Sequence, residues 1–251
     1  MPLRDHFHDP IDSYCPWHSF HGNWATKMVD RLNEAWLSDQ YVAQGERQFG
    51  VPVEIDVAAL ERDNRGSLLA GMNGENGENG GVATAAKVYA PPAPPLSTPV
   101  GFTEPQLVEV KVYRGRGGWH LVAAVELVSQ ANKDRNETRR TFAIKCASYL
   151  QRGVSVVVVD AVTNRSGELH NDLCDLLDLP APARWASPTG LHVAAYRTVK
   201  AGDPVRLDVW PHPLAIGAEL PTVPLWLAAD LAVPLELEMT YEAACKSLRI
   251  R

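Results

Sequence analysis

Between Trp119 and Asp160 the chain reads W-H-L-V-A-A-V-E-L-V-S-Q-A-N-K-D-R-N-E-T-R-R-T-F-A-I-K-C-A-S-Y-L-Q-R-G-V-S-V-V-V-V-D, and no other stretch constrains the fold as much. Two apolar runs, each the length of one strand, flank a polar turn and a helix-length segment of different period. Val154–Val159 is apolar on both faces, the pattern of a central strand in a sheet covered by helices. Strand, helix, strand of this length implies a right-handed parallel crossover. Glu126 interrupts the first run. A buried carboxylate there is costly unless it is paired, hydrogen-bonded or bound to a metal ion.

The segment between the runs begins a helix at Asp134 or Asn136 and ends it at Arg152, before Gly153. Phe142, Cys146, Tyr149 and Leu150 form its buried stripe. Lys145 falls about 60° from Phe142, on the border of that stripe, where its amine can reach solvent or extend over the sheet. Arg139, Arg140 and Arg152 make this helix basic.

Upstream, Trp17, Phe20, Trp24, Met28, Leu32 and Trp36 recur at three and four residues, which predicts a packing helix. Glu34 near its end is a weaker acidic candidate. Tyr41–Phe49 and Val51–Ala58 predict two short strands broken at Gly50-Val51-Pro52. In V-P-V-E-I-D-V, Glu54 and Asp56 face away from Val53, Ile55 and Val57, toward solvent or toward a site. Residues 61–105 hold N-G-E-N-G-E-N-G-G and A-P-P-A-P-P, a flexible, low-complexity insertion into one domain of residues 1–251. Leu107–Arg114 predicts a strand that turns through Gly115-Arg116-Gly117-Gly118 into the run holding Glu126. A strand follows those glycines where a phosphate loop requires a helix.

Downstream, Glu168–Leu177 predicts a helix, and His192–Thr198 with Val205–Trp210 a hairpin. Pro211, Pro213, Pro221, Pro224 and Pro234 predict an extended tail, closed by a helix over Thr240–Leu248. His6, His8, His18 and His21 lack further ligands at regular spacing, so surface or capping roles are expected. Cys15, Cys146, Cys174 and Cys245 form no C-x-x-C pair and are expected as reduced core residues. At 251 residues and 45% hydrophobic content the chain can bury a sizeable core. Thirty acidic against 24 basic residues argue against wholesale coating of a phosphate backbone and leave room for a local basic groove. No apolar run is long enough to cross a membrane, so the sequence predicts a soluble, cytoplasmic protein.

Asp56 and Glu126 on neighbouring buried strands, with a lysine close by, make a hard-oxygen site suited to Mg²⁺ or Mn²⁺. This layout resembles the PD-(D/E)xK, restriction-endonuclease-like superfamily: an α/β fold with a mixed central sheet flanked by helices. V-E-L-V-S-Q-A-N-K is similar to the E-(V/L)-(L/V)-S-P-A-N-K signature of an uncharacterised branch of it. Trp17-His-Ser-Phe-His21, the V-E-I-D strand and the closing P-L-W-L-A…V-P-L-E-L-E…Y-E segment are similar to the same branch. The resemblance implies a magnesium-dependent nuclease, a hydrolase acting on DNA or another nucleic acid, with Asp56 and Glu126 as metal carboxylates. It places the superfamily lysine where Val128 stands, so the amine would be Lys145 or Lys133. Gln130 stands where the branch has proline.

Two readings compete with this one. In the first, the fold is a catalytically inactive binding module or scaffold in which Glu126 pairs with an arginine of the following helix. In the second, the tail and insertion assemble a homo-oligomer or a larger complex. Ser129 and Asn132 are expected in capping and turn hydrogen bonds. Lys133 by default is a solvated lysine at a helix start. Asp160, at the end of a buried strand, is a reserve candidate.

Overall fold

The computed structural model describes residues 1–45, 57–62, 89–99, 119–200 and 205–250, leaving aside the side chains of His18, residues 57–62, Pro99 and Trp119. In chain order the elements are α1 (Ile11–Tyr14), α2 (Trp17–Ala35), β1 (Tyr41–Gly45), β2 (Val57–Arg62), β3 (Leu96–Pro99) and β4 (Trp119–Leu127). Then come α3 (Gln130–Lys133), α4 (Asn136–Gln151), β5 (Ser155–Asp160), α5 (Leu169–Leu176) and a 3-10 turn at Ala181–Ala183. The chain continues through β6 (His192–Val199), β7 (Arg206–Pro213), β8 (Thr222–Trp226), β9 (Ala232–Glu236) and α6 (Leu237–Ser247).

The fold is α/β, with a mixed sheet in the order β1-β2-β4-β5-β6-β7-β3 and a separate β8–β9 hairpin. β4 and β5 run parallel, joined through α3 and α4, while the other neighbours in the sheet pair antiparallel. The crossover expected from the Trp119–Asp160 stretch is thus present as a parallel pair. β5 is buried along its whole length, as its unbroken valines require.

Side-chain alternation sorts the two faces of β5. Val156, Val158 and Asp160 face the layer of α4 and α5. Ser155, Val157 and Val159 face the β8–β9 hairpin, to which the Ser155 hydroxyl donates at the Trp226 carbonyl. α2 lies against the β1 edge, where the Asn33 amide accepts from Ala43 N–H at 2.8 Å and donates to the Ala43 carbonyl at 3.0 Å. A side chain here satisfies the backbone groups that an edge strand would otherwise present to other chains.

Two expectations are corrected. Part of the predicted 61–105 insertion belongs to the sheet: β2 runs on to Arg62, and β3 pairs with β7 through Leu96↔Val209 and Ser97↔Asp208. Ser97 also donates to the Asp208 carboxylate at 2.6 Å, which ties this short strand to the sheet edge. The tail is not simply extended. Pro211 and Pro213 lie in β7, and Pro224 and Pro234 stand opposite each other in the β8–β9 hairpin. Neither proline has an N–H to give, so the pair occupies a non-hydrogen-bonded position where none is needed. The strand expected at Leu107–Arg114 lies outside the described residues; the neighbours of β4 are β2 and β5.

The aromatic stripe of α2 is buried from Trp17 through Phe20, Trp24 and Met28 to Leu32, while Trp36 stands just past the helix end and is partly buried. The four cysteines are free and buried. His6 departs from its expected surface role. It is buried, stacks on Phe20 at 3.9 Å between ring centroids and bonds through Nε2 to the Tyr241 hydroxyl at 2.7 Å. Burial pulls its pKa from 6.5 down to about 4.

An imidazole that titrates lower in the folded state than in the unfolded one favours folding at neutral pH. That contribution is complete above about pH 6.5 and is lost as pH falls toward 4. His6→Phe is expected to remove about 3 kcal/mol of pH dependence in this window. The check is the unfolding free energy of both proteins by urea titration at pH 7, 5.5 and 4.5, and parallel curves would refute the assignment.

Candidate functional site

Glu126 lies near the end of β4, one residue beyond Val125, which pairs with Val57 of β2 on one side and Val157 of β5 on the other. The residue is 3% exposed and its side chain faces α4. From α4, Lys145 extends its ammonium to within 2.7 Å of Glu126 Oε2. The Lys145 side chain keeps 18% of its surface exposed, so the pair sits at the margin of the core. This placement follows from the helix phase: Phe142 and Cys146 are buried, and Lys145 on the border of that stripe reaches over the sheet. A lysine of the following helix thus pairs with Glu126.

Lys133 is not the solvated lysine expected at a helix start. It is 2% exposed, and its ammonium lies 2.8 Å from Asp160 Oδ2, whose own residue is fully buried. A turn made rigid by local hydrogen bonds delivers it. Asn132 Oδ1 accepts from the Ser129 N–H at 2.8 Å and from the Ser129 hydroxyl at 2.9 Å, the capping role expected of both residues. Gln130 opens α3, so the turn forms without the proline of the branch signature. Asp160 Oδ1 also accepts from Val162 N–H at 3.1 Å. Burial pushes the Asp160 carboxyl up to about 6, while Lys133 and the Val162 N–H pull it the other way.

The two candidate lysines therefore separate: Lys145 goes to Glu126 and Lys133 to Asp160. Val158 stands beside Glu126 in the parallel register, and Asp160 is the next residue of β5 on the same face. Two carboxylate–ammonium pairs thus line the face covered by α4 and α5. Across from Asp160 on β6 is His192, fully buried, with no hydrogen-bond partner for either ring nitrogen among the described residues. Burial pulls its pKa down to about 3, so it is a neutral imidazole. Its proximity to Asp160 depends on sheet register, and nothing in the local sequence marks it.

Asp56 lies outside the described residues. Glu34 is exposed on α2. Among the described residues no three His, Cys, Asp or Glu side chains gather to hold a metal ion. Glu126 is one hard-oxygen group of the kind Mg²⁺ takes. Beside the Lys133–Asp160 pair opens a cleft of about 720 Å³, formed by Lys133 and residues 162–168, 189–191 and 215–216. Among the described residues no helix is long and apolar enough to cross a membrane. No known protein family, curated protein or solved structure matches this chain.

Proposed function

We propose that the protein is a divalent-metal-dependent phosphodiesterase with a restriction-endonuclease-like core, acting on nucleic acid, with Asp56, Glu126 and Lys145 as its site. The observation that carries this reading is the lysine: an ammonium from the crossover helix meets a buried carboxylate on a central strand at 2.7 Å. The pairing of Val57 with Val125 supports it further, because Asp56 precedes the first residue and Glu126 follows the second. The reading requires Asp56 to stand opposite Glu126.

Asp56 and Glu126 would hold Mg²⁺ or Mn²⁺, whose chemical contribution is to polarise the phosphate and offset its developing negative charge. Burial of Glu126 excludes water from its carboxylate, which strengthens each charge interaction there. Lys145 has a flexible four-carbon stem and three donors. It holds Glu126 in place and can direct a donor at the attacking water or the departing oxygen. Arg140 and Arg152 of the same region supply positive charge for a local backbone contact in a chain that is acidic overall.

The test is cleavage of plasmid, single-stranded DNA and RNA with Mg²⁺ or Mn²⁺, and the same assay on Glu126→Ala. Metal-dependent cleavage that disappears in the variant is the expected result. Wild-type protein that neither binds metal by calorimetry nor cuts any of these substrates would overturn the proposal. The Lys145–Glu126 pair also favours a second reading, in which the ammonium replaces the metal and the fold serves as a catalytically inactive scaffold. Mg²⁺ then leaves the melting temperature unchanged.

A further inference from the structure

We propose that the cleft beside the Lys133–Asp160 pair binds a small organic cation, an alkyl ammonium or guanidinium that donates N–H bonds and carries an apolar body. The inference does not depend on the phosphodiesterase reading and concerns different residues.

Position is the first reason. The cleft is walled by the segments that follow β4 and β5, at the carboxyl ends of the two parallel strands. In open α/β sheets the crevice outside those ends is where ligands are held. Its volume of about 720 Å³ lies within the usual range for small-molecule sites.

Charge and hydrogen bonding give the ligand class. Lys133 is already neutralised by Asp160 at 2.8 Å, and Arg165 turns to Asp134 at 3.3 Å. Glu168 makes no ion pair among the described residues, though Lys133 and the Ser187 N–H both favour its charged form; with Lys133 already paired to Asp160, the three side chains together keep one net negative charge. Glu168 Oε2 is buried without a hydrogen-bond partner among the described residues, and so is Asn164 Oδ1. Both are acceptors, both belong to the lining, and both need a donor. At the rim, Thr163 donates to Asp5 Oδ1 at 2.7 Å, which brings a further carboxylate close. Burial raises the Glu168 carboxyl above its ordinary value, and a bound cation reverses that effect by favouring the charged form.

Apolar groups complete the site. Val162, Leu191, Ala215 and Ile216 face the same space, and Ile216 is 45% exposed, an unusual position for isoleucine. An ammonium at Glu168 can therefore lay a short hydrocarbon body against these walls. An anion of the same shape meets the Glu168 charge instead. The loop packs closely on Arg139 at Gly167, which has φ +136 and where a Cβ would stand 2.7 Å from Arg139 Cδ. Arg139 in turn bonds Asp172 of α5 at 2.9 Å.

The experiment is isothermal titration of the full chain with isopentylamine and agmatine. Isovalerate (the same body with a carboxylate), tetramethylammonium (a cation without N–H) and inorganic phosphate serve as comparisons. The two amines are expected to bind saturably and the other three to bind at least about tenfold more weakly, a difference of about 1.4 kcal/mol. Glu168→Gln should weaken amine binding by a similar factor, and Ile216→Lys, at an exposed site, should do the same by placing a positive charge at the rim. The proposal is overturned by no amine binding up to about 10 mM, by isovalerate or phosphate binding as tightly as isopentylamine, or by unchanged affinity in Glu168→Gln. Should Glu168→Gln not fold, unchanged affinity in Ile216→Lys overturns it equally.

Discussion

Lys133→Met is expected to destabilise the protein by about 3–5 kcal/mol, the usual cost of removing one partner from a buried ion pair. Methionine keeps most of the aliphatic stem, so little of this loss comes from packing. What remains is Asp160, fully buried, without the ammonium that stood 2.8 Å away. The carboxyl can limit the damage by taking up a proton, because burial already lifts its pKa to about 6. The penalty is therefore largest at neutral pH and shrinks as pH falls below the folded pKa. Lys133→Met combined with Asp160→Asn removes both charges and keeps an oxygen for the Val162 N–H. The double variant is expected to recover most of the loss, since a neutral buried pair avoids the desolvation cost. Urea unfolding of the four proteins at pH 5 and 7 measures this coupling. A single variant within about 1 kcal/mol of wild type, or a double variant as unstable as the sum of the singles, would show that the pair is not the anchor of this turn.

Glu126 is expected to have the largest effect on activity. Under the phosphodiesterase proposal, Glu126→Ala removes metal-dependent cleavage, and Lys145→Met lowers it by about 10²–10⁴-fold, the range for a group that positions or transfers a proton. Lys145→Arg keeps the charge but replaces a flexible ammonium by a planar fork, so it is expected to restore only part of the rate. Stability separates this proposal from the scaffold reading. If the carboxylates take up a metal ion, saturating Mg²⁺ raises wild-type stability, by about 2.7 kcal/mol at a hundred times the dissociation constant. Glu126→Ala abolishes that increment. If the ion pair is only structural, Mg²⁺ changes nothing, while Lys145→Met and Glu126→Gln each destabilise the metal-free protein. A wild type that is stable, metal-indifferent and inactive on every nucleic-acid substrate would favour the scaffold.

Much of the architecture is legible in the sequence. The unbroken valines of β5 place it centrally, and the aromatic stripe over Trp17–Leu32 marks a packing helix. Glu126 is conspicuous because a single acid in an apolar strand has few ways to be tolerated. The phase of α4 brought Lys145 to the edge of its buried stripe, where the structure finds it on Glu126. Local pattern carries such information because helix and strand periods are local.

The rest depended on which strands and turns lie side by side. Lys133 has the same neighbours in the chain whether it is solvated or buried, and its partner comes from the far end of the next strand. His192 and Glu168 carry no local mark; sheet register puts one beside Asp160, and the packing around the cleft leaves one carboxylate oxygen of the other without a hydrogen bond among the described residues. The segment around Leu96 reads as part of a flexible insertion, because a four-residue strand at an edge needs little hydrophobic pattern once Asp208 accepts its serine. Periodicity assigns each side chain a face, and the identity of the group it meets on that face is set by long-range packing.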